Sequence, residues 1–133
     1  MEHGREDGRE RISAIESCEY ARLNGLWTVA LGEEVRVAMD ARGKENGFGV
    51  IHGGAIFTLA DQAFGLAANL RGEGQVAISA CIRYLSPATG RLEAVARLVD
   101  ENEETSIYEV QVLARDRVAA VFMGTGYKIR GDR

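Results

Sequence analysis

One apolar segment, residues 52–70, limits what this chain can fold into. Its apolar residues recur at the i, i+3, i+4, i+7 spacing of a helix face. Further apolar residues lie outside that face. The apolar residues of the segment are Ala55, Ile56, Leu59, Ala60, Ala63, Phe64, Leu66, Ala67, Ala68 and Leu70. A helix that is apolar nearly all round is buried on most sides. The segment therefore predicts a long central helix around which the rest of the chain is organised.

Asp61 is the only formally charged residue between Gly47 and Leu70. Aspartate is a poor helix-interior residue, and a buried carboxylate without a partner is costly. No Lys or Arg lies three or four residues away from it. Two interpretations stay open. In the first, Asp61 has a structural position, either on a narrow solvent-exposed strip of the helix or paired with an Arg distant in sequence. In the second, it is a catalytic carboxylate held at an interface from which water is excluded.

Length and composition limit the class of protein. The chain has 133 residues, enough for one domain with a core, and its formal net charge of -4 argues against a general nucleic-acid binder. No uninterrupted apolar run reaches the roughly 20 residues of a membrane span, and the N-terminus is hydrophilic rather than a signal peptide. We therefore expect a cytoplasmic protein that binds neither membrane nor nucleic acid.

The cysteines and histidines show no metal-binding pattern. Cys18 and Cys81 are far apart, and the only histidines are His3 and His52. Neither a zinc site nor a Cys–His nucleophile is indicated.

The flanking sequence predicts one short helix and six strands. Residues 1–9 are charged and glycine-broken, which predicts disorder, and residues 10–133 form a single domain. A short amphipathic helix is predicted over residues 10–23, ended by Asn24-Gly25. Strands are predicted over residues 26–31, 34–40, 76–84, 92–98, 108–114 and 118–129, with turns at 87–90, 100–104 and 116–117. This regular alternation of strands and short turns is typical of antiparallel hairpins. It predicts an α+β fold in which an antiparallel sheet wraps around the central helix.

Six strands leave one side of an apolar helix open, which predicts a partner surface, most simply a second copy. The turn His52-Gly53-Gly54 starts the helix, where free N–H groups and the positive dipole end favour an oxyanion. Asp61 lies about 10 Å further along the axis, too far to act on a carbonyl held at Gly54 of its own chain. An antiparallel second helix brings its Asp61 to this Gly54, which predicts two shared sites per dimer.

The segment from Asn46 to Asn69 resembles the hot-dog fold thioesterases. The residues that carry the likeness are Asn46-Gly-x4-His52-Gly-Gly-x2-Phe57-Thr-Leu-Ala-Asp61-x-Ala-Phe-x3-Ala-Asn69, followed by Tyr84-Leu-Ser-Pro-Ala88. The likeness is strongest to the phenylacetic-acid-degradation (PaaI-like) acyl-CoA thioesterases. It implies the hot-dog fold and hydrolysis of an aryl-acetyl or medium-chain acyl-CoA without metal or redox cofactor. It also implies a homodimer, usually paired into a homotetramer.

The resemblance also implies residue roles. Asp61 is the base that activates water, or the nucleophile, and the Gly54 N–H polarises the thioester carbonyl. Asn46 helps to place the water or carbonyl, and His52 orients the Asn46 loop. Gly53, Ser79 and Phe57 are the expected substrate contacts. Ala77 occupies a position where the family often has Thr or Ser. Ser79, two residues later, is expected to lie on the same strand face and to replace that hydroxyl in part.

Structural interpretations of the same residues stay open. His52 can be only a helix cap, Asn46 a turn residue, Gly53 and Gly54 packing glycines, and Phe57 a core residue. Two other functions also stay open. A hot-dog hydratase or dehydratase needs an acid/base pair on a loop that this sequence lacks. A non-catalytic acyl-CoA binder or sensor would not need Asp61.

Overall fold

One sheet of six antiparallel strands wraps around the long helix in the computed structural model, which describes residues 8–129. The elements are α1 (Gly8–Glu16), α2 (Glu19–Leu23), β1 (Leu26–Leu31), β2 (Val35–Met39), α3 (Gly53–Asn69), β3 (Gln75–Tyr84), β4 (Leu92–Glu101), β5 (Thr105–Ala114) and β6 (Arg117–Lys128). The strand order is β1-β2-β4-β5-β6-β3, and all neighbours are antiparallel. The predicted α+β architecture, with two strands before the central helix and four after it, is confirmed.

Helix α3 forms the centre of the core, as its apolar pattern predicts. Leu59, Ala60 and Ala63 are fully buried, and the Phe64 ring packs 5.9 Å from the rings of Phe122 and Tyr108 on β6 and β5. Full burial of a Leu or Phe side chain contributes about 1.5–3 kcal/mol. The inner face of the sheet therefore holds α3 in a fixed rotation, and this rotation decides which helix face stays open.

The C-terminal end of α3 is held by polar contacts. Arg11 on α1 is buried, and its guanidinium donates hydrogen bonds to the carbonyl oxygens of Asn69 (3.2 Å) and Gly72 (2.6 Å). A cation at the last carbonyls of a helix is favoured by the dipole. The Asn69 Oδ1 accepts a hydrogen bond from the Gln75 N–H at 2.8 Å, which fixes the start of β3 against α3.

The N-terminal predictions need two corrections. The single helix expected over residues 10–23 is two helices, because Cys18 is extended and the Ser17 hydroxyl donates a hydrogen bond to the Ser13 carbonyl, a local contact that competes with helix continuation. Gly8 and Arg9, assigned to the disordered segment, lie in the first turn of α1. Residues 1–7 of that segment lie outside the described residues.

The turn expected over residues 100–104 is shorter than predicted. Asp100 and Glu101 belong to β4, and β5 begins at Thr105. The Asn102 side chain accepts hydrogen bonds from the N–H groups of Glu104 and Thr105, both at 2.8 Å. This compact Asn turn allows the two strands to pair almost to their ends.

The sheet has two edges, β1 and β3, and β3 is the longer one. β3 has ten residues against six in β1, and it exposes 50% of Val76 and 58% of Ile78. A long exposed apolar edge strand is a surface on which another strand can pair. Within residues 8–129, no helix combines the length and apolar character needed to cross a bilayer.

Candidate active site

His52 caps the N-terminus of α3. Its backbone is extended, and its Nδ1 accepts a hydrogen bond from the Gly54 N–H at 2.9 Å. The His52 carbonyl accepts from the N–H groups of Ala55 and Ile56. An accepting Nδ1 places the ring hydrogen of neutral His52 on Nε2. The capping interpretation of His52 therefore describes this structure, and the Gly54 N–H expected to polarise a carbonyl is occupied by the cap.

Gly53 is packed under Tyr84, a residue for which the sequence suggested no separate role. The Tyr84 hydroxyl donates a hydrogen bond to the Gly53 carbonyl at 2.9 Å, and a Cβ on Gly53 would lie 3.2 Å from the Tyr84 ring. The Gly53 N–H, the first of the helix, has no acceptor among residues 8–129. The two glycines thus differ, because one N–H is capped and the other is free.

Asn46 organises the loop that leads to α3. Its Oδ1 accepts hydrogen bonds from the Phe48 N–H (2.8 Å) and the Val50 N–H (3.3 Å). The His52 N–H donates to the Lys44 carbonyl at 2.7 Å, which attaches this loop to the helix start. The Asn46 side-chain carbonyl is therefore engaged in the turn. Its Nδ2 has no acceptor among the described residues, so only the amide nitrogen remains for a water or substrate.

Asp61 lies on the open face of α3, next to a small cavity of about 140 Å³. The side chain is reached by solvent in the single chain, yet desolvation by the surrounding protein atoms raises its pKa above the ordinary value of 3.8. No side chain within residues 8–129 donates a hydrogen bond or a positive charge to it. The interpretation in which Asp61 pairs with an Arg therefore finds no support in the described part of the chain.

The site residues form two groups separated along one helix. α3 runs without interruption from Gly53 to Asn69, so Asp61 lies about 10 Å from Gly54 along the axis and about 13 Å from His52. The first group is the helix N-terminus with the Asn46 loop, and the second is Asp61 with its cavity. The structure of one chain does not bring the carboxylate to the helix N-terminus.

Ser79 and Ala77 do not share a strand face, contrary to the prediction. Ala77 pairs with Gly126 and Ser79 with Thr125, because a bulge lies between them. Neighbouring residues on β6 point to opposite faces, so Ala77 points inward to the Asp61 cavity while Ser79 points to the outer face. One extra residue in a strand reverses the faces of all that follow, and the alternation in the sequence did not reveal it.

Phe57 is partly buried against the core and lies one helix turn before Asp61. Its ring meets the fully buried Phe122 edge-on, with 5.3 Å between the centroids.

No group of three or more His, Cys, Asp or Glu side chains in the described part of the chain converges as a metal site would require.

Comparison with known proteins places this geometry in a family. The sequence model of the thioesterase superfamily matches residues 48–121, more than half of the chain. The chain belongs to the thioesterase superfamily. The acyl-coenzyme A thioesterase PaaI of Escherichia coli is 34% identical over 89 residues, which cover 65% of this chain and 64% of that protein. A protein of Archaeoglobus fulgidus is 37% identical over 90 residues, 65% of this chain and 58% of its own length. The matches thus span about three fifths of these curated relatives.

Solved structures extend the likeness over most of this thioesterase-superfamily chain. A variant of the phenylacetic acid degradation protein PaaI from Thermus thermophilus superposes with a TM-score of 0.80 at 34% identity, covering 84% of this chain and all of that one. The PaaI protein of Escherichia coli superposes with a TM-score of 0.85 at 28% identity, covering 93% and 94%. The hot-dog fold and the PaaI-like resemblance expected from the sequence are confirmed.

The raised pKa of Asp61 predicts an acid limit for any reaction in which this carboxylate must be ionised. A carboxylate that acts as base or nucleophile must be ionised, and desolvation moves its pKa upward from 3.8. We therefore expect kcat to fall as the pH drops through a midpoint above 3.8. The measurement is kcat against pH from 4 to 8 in buffers of constant ionic strength.

Stability provides the matching control. Because the folded-state pKa of Asp61 is raised, its ionisation destabilises the fold above the unfolded pKa, and this cost disappears below it. Asp61→Asn should therefore melt at a higher temperature than the wild type at pH 7, with the difference closing at pH 3. A mutant that melts lower at pH 7 and equally at pH 3 would contradict the desolvation of this carboxylate.

Proposed function

We propose that this protein is an acyl-CoA thioesterase that hydrolyses an aryl-acetyl or medium-chain acyl-CoA to the free acid and CoA. The observation that carries the proposal is Asp61, a carboxylate with a raised pKa and no charge partner in the described chain, on the open face of the central helix. Membership in the thioesterase superfamily and the similarity to the acyl-coenzyme A thioesterase PaaI of Escherichia coli support the same chemistry.

A second copy completes the site in this proposal. The free edge of β3 is long and apolar, and pairing it with another β3 removes that edge and forms one continuous sheet. The open face of α3 would then meet the α3 of the partner. Two dimers are expected to pair into a tetramer, as the family resemblance implies.

The contacts of β3 with α3 support the arrangement of the two groups. Ala77 lies beside Asp61, and Tyr84 lies on Gly53. If two β3 strands pair antiparallel about Ala80, Ala77 of one chain lies opposite Arg83 of the other, one residue from Tyr84. Asp61 would then be next to the N-terminus of the partner's α3. With this register, strand pairing is compatible with the shared site that the helix spacing favours.

The proposed reaction uses these groups as follows. The thioester carbonyl oxygen accepts hydrogen bonds at the helix N-terminus of one chain, from the free Gly53 N–H and from the Gly54 N–H once His52 Nδ1 releases it. Asp61 of the other chain takes a proton from water, whose oxygen attacks the carbonyl carbon. Alternatively, the Asp61 carboxylate attacks that carbon and forms a mixed anhydride, which a water molecule then hydrolyses to the free acid and the regenerated carboxylate. The C–S bond breaks, and the CoA thiolate leaves and takes up a proton.

The remaining residues have supporting roles in the proposal. Asn46 Nδ2 is free to hold the water or the carbonyl, while its Oδ1 keeps the loop in place. His52 sets the helix start and borders the thioester. No metal or other cofactor is required, since CoA is part of the substrate, and we retain a cytoplasmic location as an expectation.

The direct test is release of free thiol from acetyl-, hexanoyl-, palmitoyl- and phenylacetyl-CoA by the purified protein. We expect turnover of the phenylacetyl or hexanoyl ester above that of the other two. A folded dimer that binds CoA but releases no thiol from any of the four would favour the non-catalytic binder.

A further inference from the structure

The peptide group between Gly53 and Gly54 is held by a side chain at each of its two ends. Its carbonyl oxygen, on Gly53, accepts a hydrogen bond from the Tyr84 hydroxyl at 2.9 Å. Its N–H, on Gly54, donates a hydrogen bond to His52 Nδ1, also at 2.9 Å. Because a peptide group is planar, two bonds at its opposite ends fix the direction in which the N–H points.

Each glycine leaves room for one of the two side chains that hold this peptide. A Cβ on Gly53 would lie 3.2 Å from the Tyr84 hydroxyl oxygen, and a Cβ on Gly54 would lie 3.2 Å from His52 Nδ1. Neither glycine has a positive φ, so backbone conformation does not require them. The close approach of Tyr84 and His52 therefore explains the glycine pair.

The Tyr84 hydroxyl reaches the helix N-terminus from the sheet. Tyr84 is the last residue of β3 and pairs with Ala120 of β6, whereas His52 belongs to the segment that starts α3. In the proposed reaction, His52 Nδ1 releases the Gly54 N–H to the thioester carbonyl. The bond from Tyr84 is made to the other end of the peptide, so it persists when the bond to His52 is lost.

We propose that Tyr84 is a positioning residue for the hydrolysis, because its hydroxyl keeps the Gly54 N–H aimed at the thioester carbonyl and strengthens it as a donor. Hydrogen bonds in a chain polarise one another, so a bond to the peptide oxygen strengthens the N–H of the same peptide. A pre-oriented donor stabilises the oxyanion that develops in the transition state. The inference rests on the proposed thioesterase function and adds a residue that acts through a peptide group.

Removal of the hydroxyl tests this role in the intact dimer. Tyr84→Phe keeps the ring on Gly53 but cannot donate a hydrogen bond. We expect kcat to fall by about 3- to 10-fold, the effect of one net hydrogen bond. The Kd of the non-hydrolysable thioether S-methyl-CoA and the midpoint of the acid limit of kcat should stay unchanged. The measurements are thiol release from pH 4 to 8 and calorimetry.

Tyr108→Phe is the matched control. The Tyr108 hydroxyl donates to the Ala67 carbonyl at 3.3 Å, so the same change is made at the other end of α3. This variant should keep the wild-type kcat and Kd. Equal kcat losses in Tyr84→Phe and Tyr108→Phe, or no loss in Tyr84→Phe, would overturn the proposal. A shifted acid midpoint in Tyr84→Phe would also overturn it, because the hydroxyl would then act on the carboxylate.

A double-mutant cycle tests whether Tyr84 acts through Gly53. A Cβ on Gly53 displaces the Tyr84 hydroxyl from the carbonyl, so Gly53→Ala already loses this hydrogen bond. Adding Tyr84→Phe to Gly53→Ala should therefore lower kcat less than twofold further. Losses in kcat that multiply in the double mutant would show that the two residues act separately and would overturn the proposal.

The amide resonance of Gly54 separates this inference from the proposed function, since it is measured without substrate. In protein labelled with ¹⁵N-glycine, Tyr84→Phe should shift the Gly54 amide proton upfield and leave that of Gly65, in the middle of α3, in place. An unchanged Gly54 resonance beside an active wild type rejects the inference and keeps the thioesterase. A shifted resonance in a protein that hydrolyses no thioester rejects the thioesterase and reduces the Tyr84 bond to a structural contact.

Discussion

Replacing Asp61 by Asn should lower kcat at least about 100-fold, the effect typical of removing a general base. Asn has the same shape but cannot accept a proton from water or attack the carbonyl carbon. The α3 scaffold should be unaffected, because no described residue bonds to the carboxylate of Asp61. The measurement is thiol release at saturating substrate, with wild type and mutant assayed side by side at pH 7.

A matched substitution and a binding measurement complete this test. Asp100→Asn makes the same chemical change on β4, outside the site, and should keep wild-type kcat. Asp61→Asn should still bind S-methyl-CoA with a Kd within threefold of wild type. A mutant with wild-type turnover would remove Asp61 from the mechanism, and a mutant that loses binding as well would make it a ligand contact instead.

Placing a lysine on the β3 edge should abolish both association and activity. Ile78 is 58% exposed on that edge, and a buried unpaired ammonium at a strand–strand interface is costly. We expect Ile78→Lys to sediment as a folded monomer at micromolar concentration. Its kcat/KM should drop at least 100-fold, because the carboxylate and the helix N-terminus of one chain lie about 10 Å apart.

The opposite edge of the sheet provides the control. Leu31→Lys places the same charge on β1, where the proposed dimer has no contact, and should keep both the dimer and wild-type turnover. Circular dichroism would establish that Ile78→Lys retains its fold. A folded Ile78→Lys monomer with full specific activity would show that one chain holds a complete site.

Much of the site could be recognised before the structure because its chemistry depends on local sequence. A lone carboxylate in a charge-free apolar helix is visible in the residue pattern, and so is a His-Gly-Gly helix start. The helix period then gives their separation without knowledge of the fold. The expectation that the Gly54 N–H is free differs from the structure, because the imidazole of His52 accepts its hydrogen bond.

The errors arose where distant residues decide local structure. The alternation of Ala77 and Ser79 predicted one shared face, but pairing with β6 introduces a bulge that turns Ser79 outward. The contact of Tyr84 with Gly53 joins residues 31 positions apart, and no local pattern announces it.

The sequence by itself determined the central helix, the six antiparallel strands and the isolation of Asp61, because apolar periodicity and charge placement are local properties. Only the tertiary structure decided which strands form the edges of the sheet, which face of α3 stays open and which small residues line the Asp61 cavity. These depend on strand order and register, which are set by packing between residues far apart in the chain.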